Sequence, residues 1–279
     1  MYSKKLVFLL SFTLILVSNC IAQTVKLSLT KDDKYEQTIT TKISSVASVM
    51  GQEVASTADI SKTETIQVGS VSKTESNLTF KIAKLLMASQ AMGQELNYDS
   101  EKKDNSGAGA EEMDQEMNKV RNVTLDASGK PIKDDGESKT GDAMSIEAGS
   151  AMDNFINPNF IGKKLKEGKT WSDSVSTTKD KSSTKTKGDY TVKSIDAKSH
   201  TATIVFKGTQ TGTGTMEQMG MEMNLNFTYN INTEFQVDLE TGVVLQSSNT
   251  TTGTMNIEAS GMSIPSTINN TVTTSTKKL

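Results

Sequence analysis

The 279-residue chain is 34% hydrophobic and 5% aromatic, so any core it builds is thin or spread out. Its net charge of −3 arises from interspersed lysines and acidic residues, which argues against the basic patch that nucleic-acid binding needs. Arg121 is the only arginine, so bidentate recognition of phosphate or carboxylate is available at one position at most.

The first residues read as an export signal. Lys4 and Lys5 form a positive segment, Leu6 to Val17 is apolar apart from Ser11 and Thr13, and small residues follow up to Ala22. The apolar stretch is short for a membrane span. Residues 1–22 are therefore expected to be a signal peptide cleaved before Gln23, delivering the chain to the periplasm or beyond. The alternative is lipid anchoring through Cys20. It is disfavoured because Asn19 stands where a small residue is expected and no flexible tether follows. With Cys20 removed, no disulfide, thiolate metal site or cysteine nucleophile remains.

Downstream the dominant signal is alternation of period two, the mark of strands with one apolar and one wet face. It begins with Val25, Leu27 and Leu29 and continues from Tyr35 to Ile43. Ile66 with Val68, and Leu78, Phe80 and Ile82, repeat it. Met50-Gly51-Gln52 and Met92-Gly93-Gln94 read as hairpin tips. Ala108 to Lys119 lacks β-branched residues and predicts a short helix, with Glu111, Glu112 and Asp114 near its positive end. Val123 to Ile132 reads as strand, turn, strand. Ala143 to Phe155 predicts a second helix, ended before Pro158.

In the last part Ala202, Ile204 and Phe206 alternate. So does the longest run, Met219 to Ile231, with Gly220, Glu222, Asn224, Asn226, Thr228 and Asn230 on the other parity. Phe235, Val237 and Leu239 lead into a turn at Asp238 to Gly242, and Val243 to Leu245 return. Met255 with Ile257, and Ile268 with Val272, close the series. One wet face per strand implies antiparallel pairing.

The two strand-rich halves resemble each other. Leu29 to Tyr35 and Leu165 to Trp171 each run from a leucine through a charged turn to an aromatic that opens a Ser/Thr-rich strand, although Asp32-Asp33 has Glu167-Gly168 as its counterpart. Ile66 to Val68 parallels Tyr190 to Val192, and Leu78 to Ile82 parallels Ala202 to Phe206. The expected organisation is a first β unit over 23–100, a partly helical middle over 101–160, and a second, related β unit over 161–279. The expected fold class is mainly β, with long antiparallel strands forming a curved sheet, a sandwich or an open barrel.

The segment Lys26 to Gln37, the tip Val49 to Glu53, the element Leu165 to Trp171 and the Ala22-Gln23 junction resemble an exported family of unknown function from Bacteroidota. The resemblance implies an uncharacterised envelope protein and carries no activity or catalytic residue with it.

No constellation of residues points to a reaction. His200, the only histidine, sits in a turn and cannot build a histidine metal site alone. Met216, Met219, Met221 and Met223 have the softness for Cu(I), yet three of them continue the apolar parity into Leu225 and Phe227 and read as core. Glu111, Glu112, Asp114 and Glu116 lack calcium-loop spacing. Asp173-Ser174-Val175 is a short acceptor-like pattern for glycosylation at Ser174, with an ordinary strand residue as the default. No catalytic, cofactor-binding or metal residue is therefore expected. The leading expectation is a non-catalytic binding or structural module of the cell envelope with an envelope protein or ligand as partner. The alternatives are a carrier of apolar, lipid-like ligands and a hydrolase using Asp or Glu.

Overall fold

A computed structural model describes residues 22–91, 93–102, 105, 110–135, 154–179, 181–218, 221–259 and 261–279. In chain order its elements are β1 (Gln23–Thr24), β2 (Lys34–Val49), β3 (Gln52–Val71), β4 (Glu75–Ala91), β5 (Gln94–Asp99), α1 (Ala110–Met117), β6 (Val120–Asp126) and β7 (Pro131–Asp134). Then come β8 (Lys164–Leu165), β9 (Thr170–Lys179), β10 (Ser182–Asp196), β11 (Thr201–Gln218), β12 (Met221–Asp238), β13 (Val244–Ala259) and β14 (Met262–Lys278). The chain is mainly β. β1 and β8 form a two-stranded patch, and every other strand joins one antiparallel sheet of 12 strands.

The sheet order is β7-β6-β4-β3-β2-β14-β13-β12-β11-β10-β9, with β5 beside β4. Both sequence blocks are thus meanders, and a single pairing joins them: β14 lies against β2, with Gln37 opposite Thr276 and Ala47 opposite Ser266. Among the described residues β9 and β7 each have one neighbour only, so the sheet does not close. The two expected β units therefore share one sheet.

Period-two alternation decides which face is buried. On β12, Thr233, Phe235 and Val237 point into the core while the intervening Glu234 is exposed. The packed core lies at one end of the long strands, in two clusters. One gathers Val25, Phe160, Leu165, Tyr190, Ile204 and Phe235. The other gathers Leu29, Tyr35, Ile66, Leu78, Phe155 and Ile156. The centrepiece is the segment 154–165. Phe155 and Phe160 are both 0% exposed and meet Tyr35 and Phe235 edge-to-face at centroid distances of 5.2 Å. Burying each such ring contributes roughly 1.5–3 kcal/mol relative to leaving it in water.

The turn after β12 shows how tightly this base is built. The Asp238 carboxylate accepts from the backbone N–H of Glu240 and Thr241 at 2.9 and 2.8 Å. Gly242 has φ of 77°, and a Cβ there would sit 2.7 Å from both Ile161 Cδ1 and the Lys26 carbonyl, so glycine is required.

The structure corrects the expectation for the first strand. Val25 to Leu29 is not a strand of the sheet; only β1 is paired, and the segment crosses the base with Val25 and Leu29 buried and the backbone N–H groups of Val25, Lys26 and Ser28 donating to the carbonyls of Lys163, Leu239 and Thr241. The expected helix over Ala143–Phe155 falls mostly outside the described residues, and Asn154 and Phe155 at its end form a turn. The strand expected from Met219 begins at Met221, with Met219 and Gly220 outside the described residues. The helix expected over Ala108–Lys119 is present as α1.

Candidate functional site

Above the apolar base the inward face turns polar. Gln37, Glu64, Thr274 and Thr276 are all nearly buried. Gln37 lies opposite both Glu64 and Thr276, and its Nε2 donates to the Asn154 carbonyl and to Thr276 Oγ1, each at 3.0 Å. Lys62 Nζ pairs with Glu64 Oε1 at 2.8 Å. Gln37 Oε1, Glu64 Oε2 and Thr274 Oγ1 accept nothing. Opposite signs on Lys62 and Glu64 make this belt neutral overall, and it fixes register more than it invites a charged guest. Farther up, the inward residues Met223, Leu225, Phe227 and Tyr229 are half-buried. Phe227 and Tyr229 stack at 4.7 Å, and the Phe227 ring occupies the space a Cβ on Gly212 would need.

The outward face carries a cleft. It has a volume of about 800 Å³ and draws residues from six neighbouring strands and the start of β3. β11, β12, β13 and β14 form its floor through Thr211, Asn226, Thr228, Thr254, Asn256 and Thr267, with Phe227, Met255 and Pro265 among them. Val46 and Ser48 of β2 with Glu53 of β3 stand on one side, and Ser183 and Lys185 of β10 on the other. Asn226 and Thr228 have the parity opposite to Thr233 and Phe235, so the cleft lies on the face away from the core. Strands of 16 to 18 residues carry enough right-handed twist for the far end of the sheet to curve around the opposite face. A shallower depression on the same face lies between β9, β10 and β11, beside Ser174, Lys187 and Asp189.

The candidates singled out from sequence do not converge on either place. His200 lies in the exposed β10–β11 turn, with φ of 54° and Nδ1 2.9 Å from Glu240 Oε1. Met223 has the inward parity expected of it but is half-buried beyond the packed base; Met219 lies outside the described residues. Met216 and Met221 are paired in β11 and β12, opposite Met223 and Gln218. Asp114 on α1 accepts a hydrogen bond from the Tyr98 hydroxyl at 2.6 Å, which pushes the Tyr98 phenol up to about 12. Among the described residues no three His, Cys, Asp or Glu side chains gather as metal ligands would. Ser174 lies on edge strand β9 and is exposed. Sequence reasoning missed the cleft because it looked for histidine, methionine and acidic clusters; the signal was on the wet parity of the strands, in long runs of Thr and Asn.

Residues 154–244 match the model of a family of unknown function (DUF6263). That stretch contains every member of the Phe160 cluster except Val25. No curated protein matches the sequence. Among solved structures, an outer membrane channel from Pseudomonas putida F1 is 8% identical, with 90% of this chain and 98% of that one covered, at a TM-score of 0.29. OpdQ of Pseudomonas aeruginosa is 7% identical over 89% and 100%, at 0.28. OmpF of Salmonella typhi, in complex with daunomycin, is 8% identical over 88% and 97%, at 0.23. Such scores carry neither the fold nor the function of those channels to this chain.

Proposed function

We propose that this is an exported, non-catalytic binding module of the cell envelope, and that the cleft on the outward face is its binding surface. The observation that carries the reading is the cleft itself: about 800 Å³, in the size range of ligand sites, with a floor of four paired strands. A hydrogen-bonded sheet holds its side chains in fixed register, so little ordering is needed on binding. Export is supported by Lys4, Lys5, the apolar run and the Ala22-Gln23 junction. No helix among the described residues is long and apolar enough to cross a membrane, which says nothing of strands. The strands themselves present Thr and Asn outward, where a membrane-spanning barrel needs an apolar band.

The apolar-carrier reading has less support, because Val46, Phe227, Met255 and Pro265 are scattered among the Ser, Thr and Asn that make up most of the cleft's lining. Native mass spectrometry of the protein taken from its own envelope tests the proposal. The expected result is a polypeptide beginning at Gln23, without lipid, accompanied by a bound species that a Glu substitution at Thr254 removes. A co-purified ligand indifferent to that substitution would overturn the assignment of the cleft, and a species beginning at a lipidated Cys20 would overturn the free, unanchored state.

A further inference from the structure

The floor of the cleft belongs to a larger surface with an unusual composition. Every outward position from Thr209 to Thr215 on β11, Asn224 to Asn232 on β12, Ser248 to Asn256 on β13 and Ser263 to Ser275 on β14 is uncharged, and nearly all are Thr, Ser or Asn. Charges on this face collect at the strand ends instead, at Lys207, Glu222, Glu234, Glu258 and Lys277. Exposed sheet faces ordinarily carry lysine and acidic residues throughout, which keep them soluble and unpaired. Here the chain is 23% charged overall, yet four adjacent strands are free of charge along their middle.

Resting on the binding-module reading, we infer that the cleft takes a neutral, hydroxyl-rich ligand, a glycan chain lying across β11 to β14. Hydroxyls donate and accept, and carboxamides do both through separate atoms, so Thr211, Asn226, Thr228 and Thr254 match sugar hydroxyls without a fixed donor or acceptor sense. Threonine is restricted at χ1 by its branched Cβ, so its hydroxyl is held with little entropy left to lose. Lys185 and Glu53 stand on opposite sides of the cleft. A ligand of either charge meets one like and one opposite charge at the sides and finds no counter-charge on the floor, so burying an ion there is costly. An apolar ligand would touch Phe227, Met255 and Pro265 but would strip water from the surrounding floor hydroxyls and amides without replacing their hydrogen bonds.

Isothermal titration calorimetry on the mature chain tests this with neutral gluco-, manno- and xylo-oligosaccharides of chain length about that of the floor, an oligogalacturonate as the acidic probe and a fatty acid as the apolar one. The variants are Thr254→Glu on the floor and Thr273→Glu on the same face outside the cleft. Both positions are exposed, and circular dichroism confirms that each variant folds. The expected result is binding of a neutral oligosaccharide that Thr254→Glu weakens about tenfold or more and Thr273→Glu leaves unchanged. Binding of the acidic or apolar probe alone would overturn the glycan assignment while leaving the binding module standing. Equal weakening by both variants would move the site off the cleft. Failure of every probe to bind would overturn the inference and the binding-module reading together.

Discussion

At the start of β2, Asp32 N donates to the Val68 carbonyl and Val68 N to the Asp33 carbonyl, each at 2.9 Å. At the start of β9, Gly168 N donates to the Val192 carbonyl and Val192 N to the Lys169 carbonyl, again at 2.9 Å. Asp32 and Gly168 both hold left-handed backbone, with φ of 70° and 76°. Tyr35 pairs with Ile66 and Trp171 with Tyr190, and in both blocks the ladder shifts register directly after the equivalent valine, Val68 or Val192. The matching geometry is what an internal repeat predicts. It also moves one correspondence read from sequence: the partners of Val68 and Ile66 are Leu78 and Phe80, and those of Val192 and Tyr190 are Ile204 and Phe206, so Leu78 answers to Ile204 and not to Ala202.

The blocks differ in what surrounds this shared frame. β2 is flanked on both sides, by β3 and β14, whereas β9 is an edge. Two residues past each of these aromatics, the central block has the buried Gln37–Glu64 pair and the edge block has Asp173 opposite Gly188. A Cβ on Gly188 would lie 2.6 Å from Phe206 Cζ, so that site is filled by a ring from β11 in place of its own side chain. The two turns share backbone geometry, while the side chains around them follow the position in the sheet.

The largest expected effect separates interior from edge. Tyr35→Ala should cost about 3–5 kcal/mol, the range for a buried aromatic. Trp171→Ala should cost about half as much, because the indole is half-buried and stacks on Tyr190 at 5.2 Å on an open strand. Urea unfolding measures both, and equal losses would remove the distinction.

The belt gives the next test. Lys62→Met leaves the Glu64 carboxylate buried without its partner and should cost about 2–4 kcal/mol, with most of it recovered when Glu64→Leu is added. Thr186→Met, at the equivalent place in the edge block, should cost less than about 1 kcal/mol. If the double variant is no better than the single one, the pair is not what holds the belt.

Alkaline titration sharpens the contrast further. Burial, with the charges of Asp33 and Asp238, pushes the Tyr35 phenol from 10.0 up to about 12. A pKa raised on folding favours the protonated form, so this stabilisation is fully present below pH 10 and is lost as pH rises through about 12. Trp171 has no such group. Tyrosinate absorbance of Tyr35→Phe should therefore lack one late-titrating phenol, and its stability should fall less steeply in that window.

The smallest effect concerns the two turns. Nothing lies within 4 Å of a Cβ built on Gly168, so Gly168→Ala should cost only the left-handed strain, about 1 kcal/mol. Asp32→Gly should be neutral or stabilising by up to about 1 kcal/mol. Thermal melts read both, and opposite signs from these would show that the turns are not equivalent.

Much of the strand content was legible because alternation is a local signal. Leu225, Phe227 and Tyr229 announced their face, and so did Leu78 and Phe80. What stayed hidden was non-local. Nothing around Thr276 says that it will meet Gln37, and Phe155 and Phe160 carry no periodicity that marks them as the filling of the base. The helix expected over Ala143 to Phe155 lies mostly outside the described residues, and at its end Asn154 and Phe155 form a turn, with Phe155 and Phe160 joining different clusters. The cleft was hidden for another reason: concavity comes from twist summed over several strands, and no window of sequence contains it.

The β2–β14 pairing has a consequence for how the chain is assembled. The hydrogen bond from Gln37 to Thr276 spans 239 residues, so the central seam closes one of the longest loops the chain can make. β14 is also the last of these strands to be synthesised. Until it arrives, β2 and β13 are both open edges, each presenting a row of unpaired backbone groups suited to mispairing. The two meanders can form early through their local hairpins, but the joined sheet waits for its final strand. Folding of this chain should therefore be slow and of high contact order, and the meanders should gain protection from hydrogen exchange before the seam does.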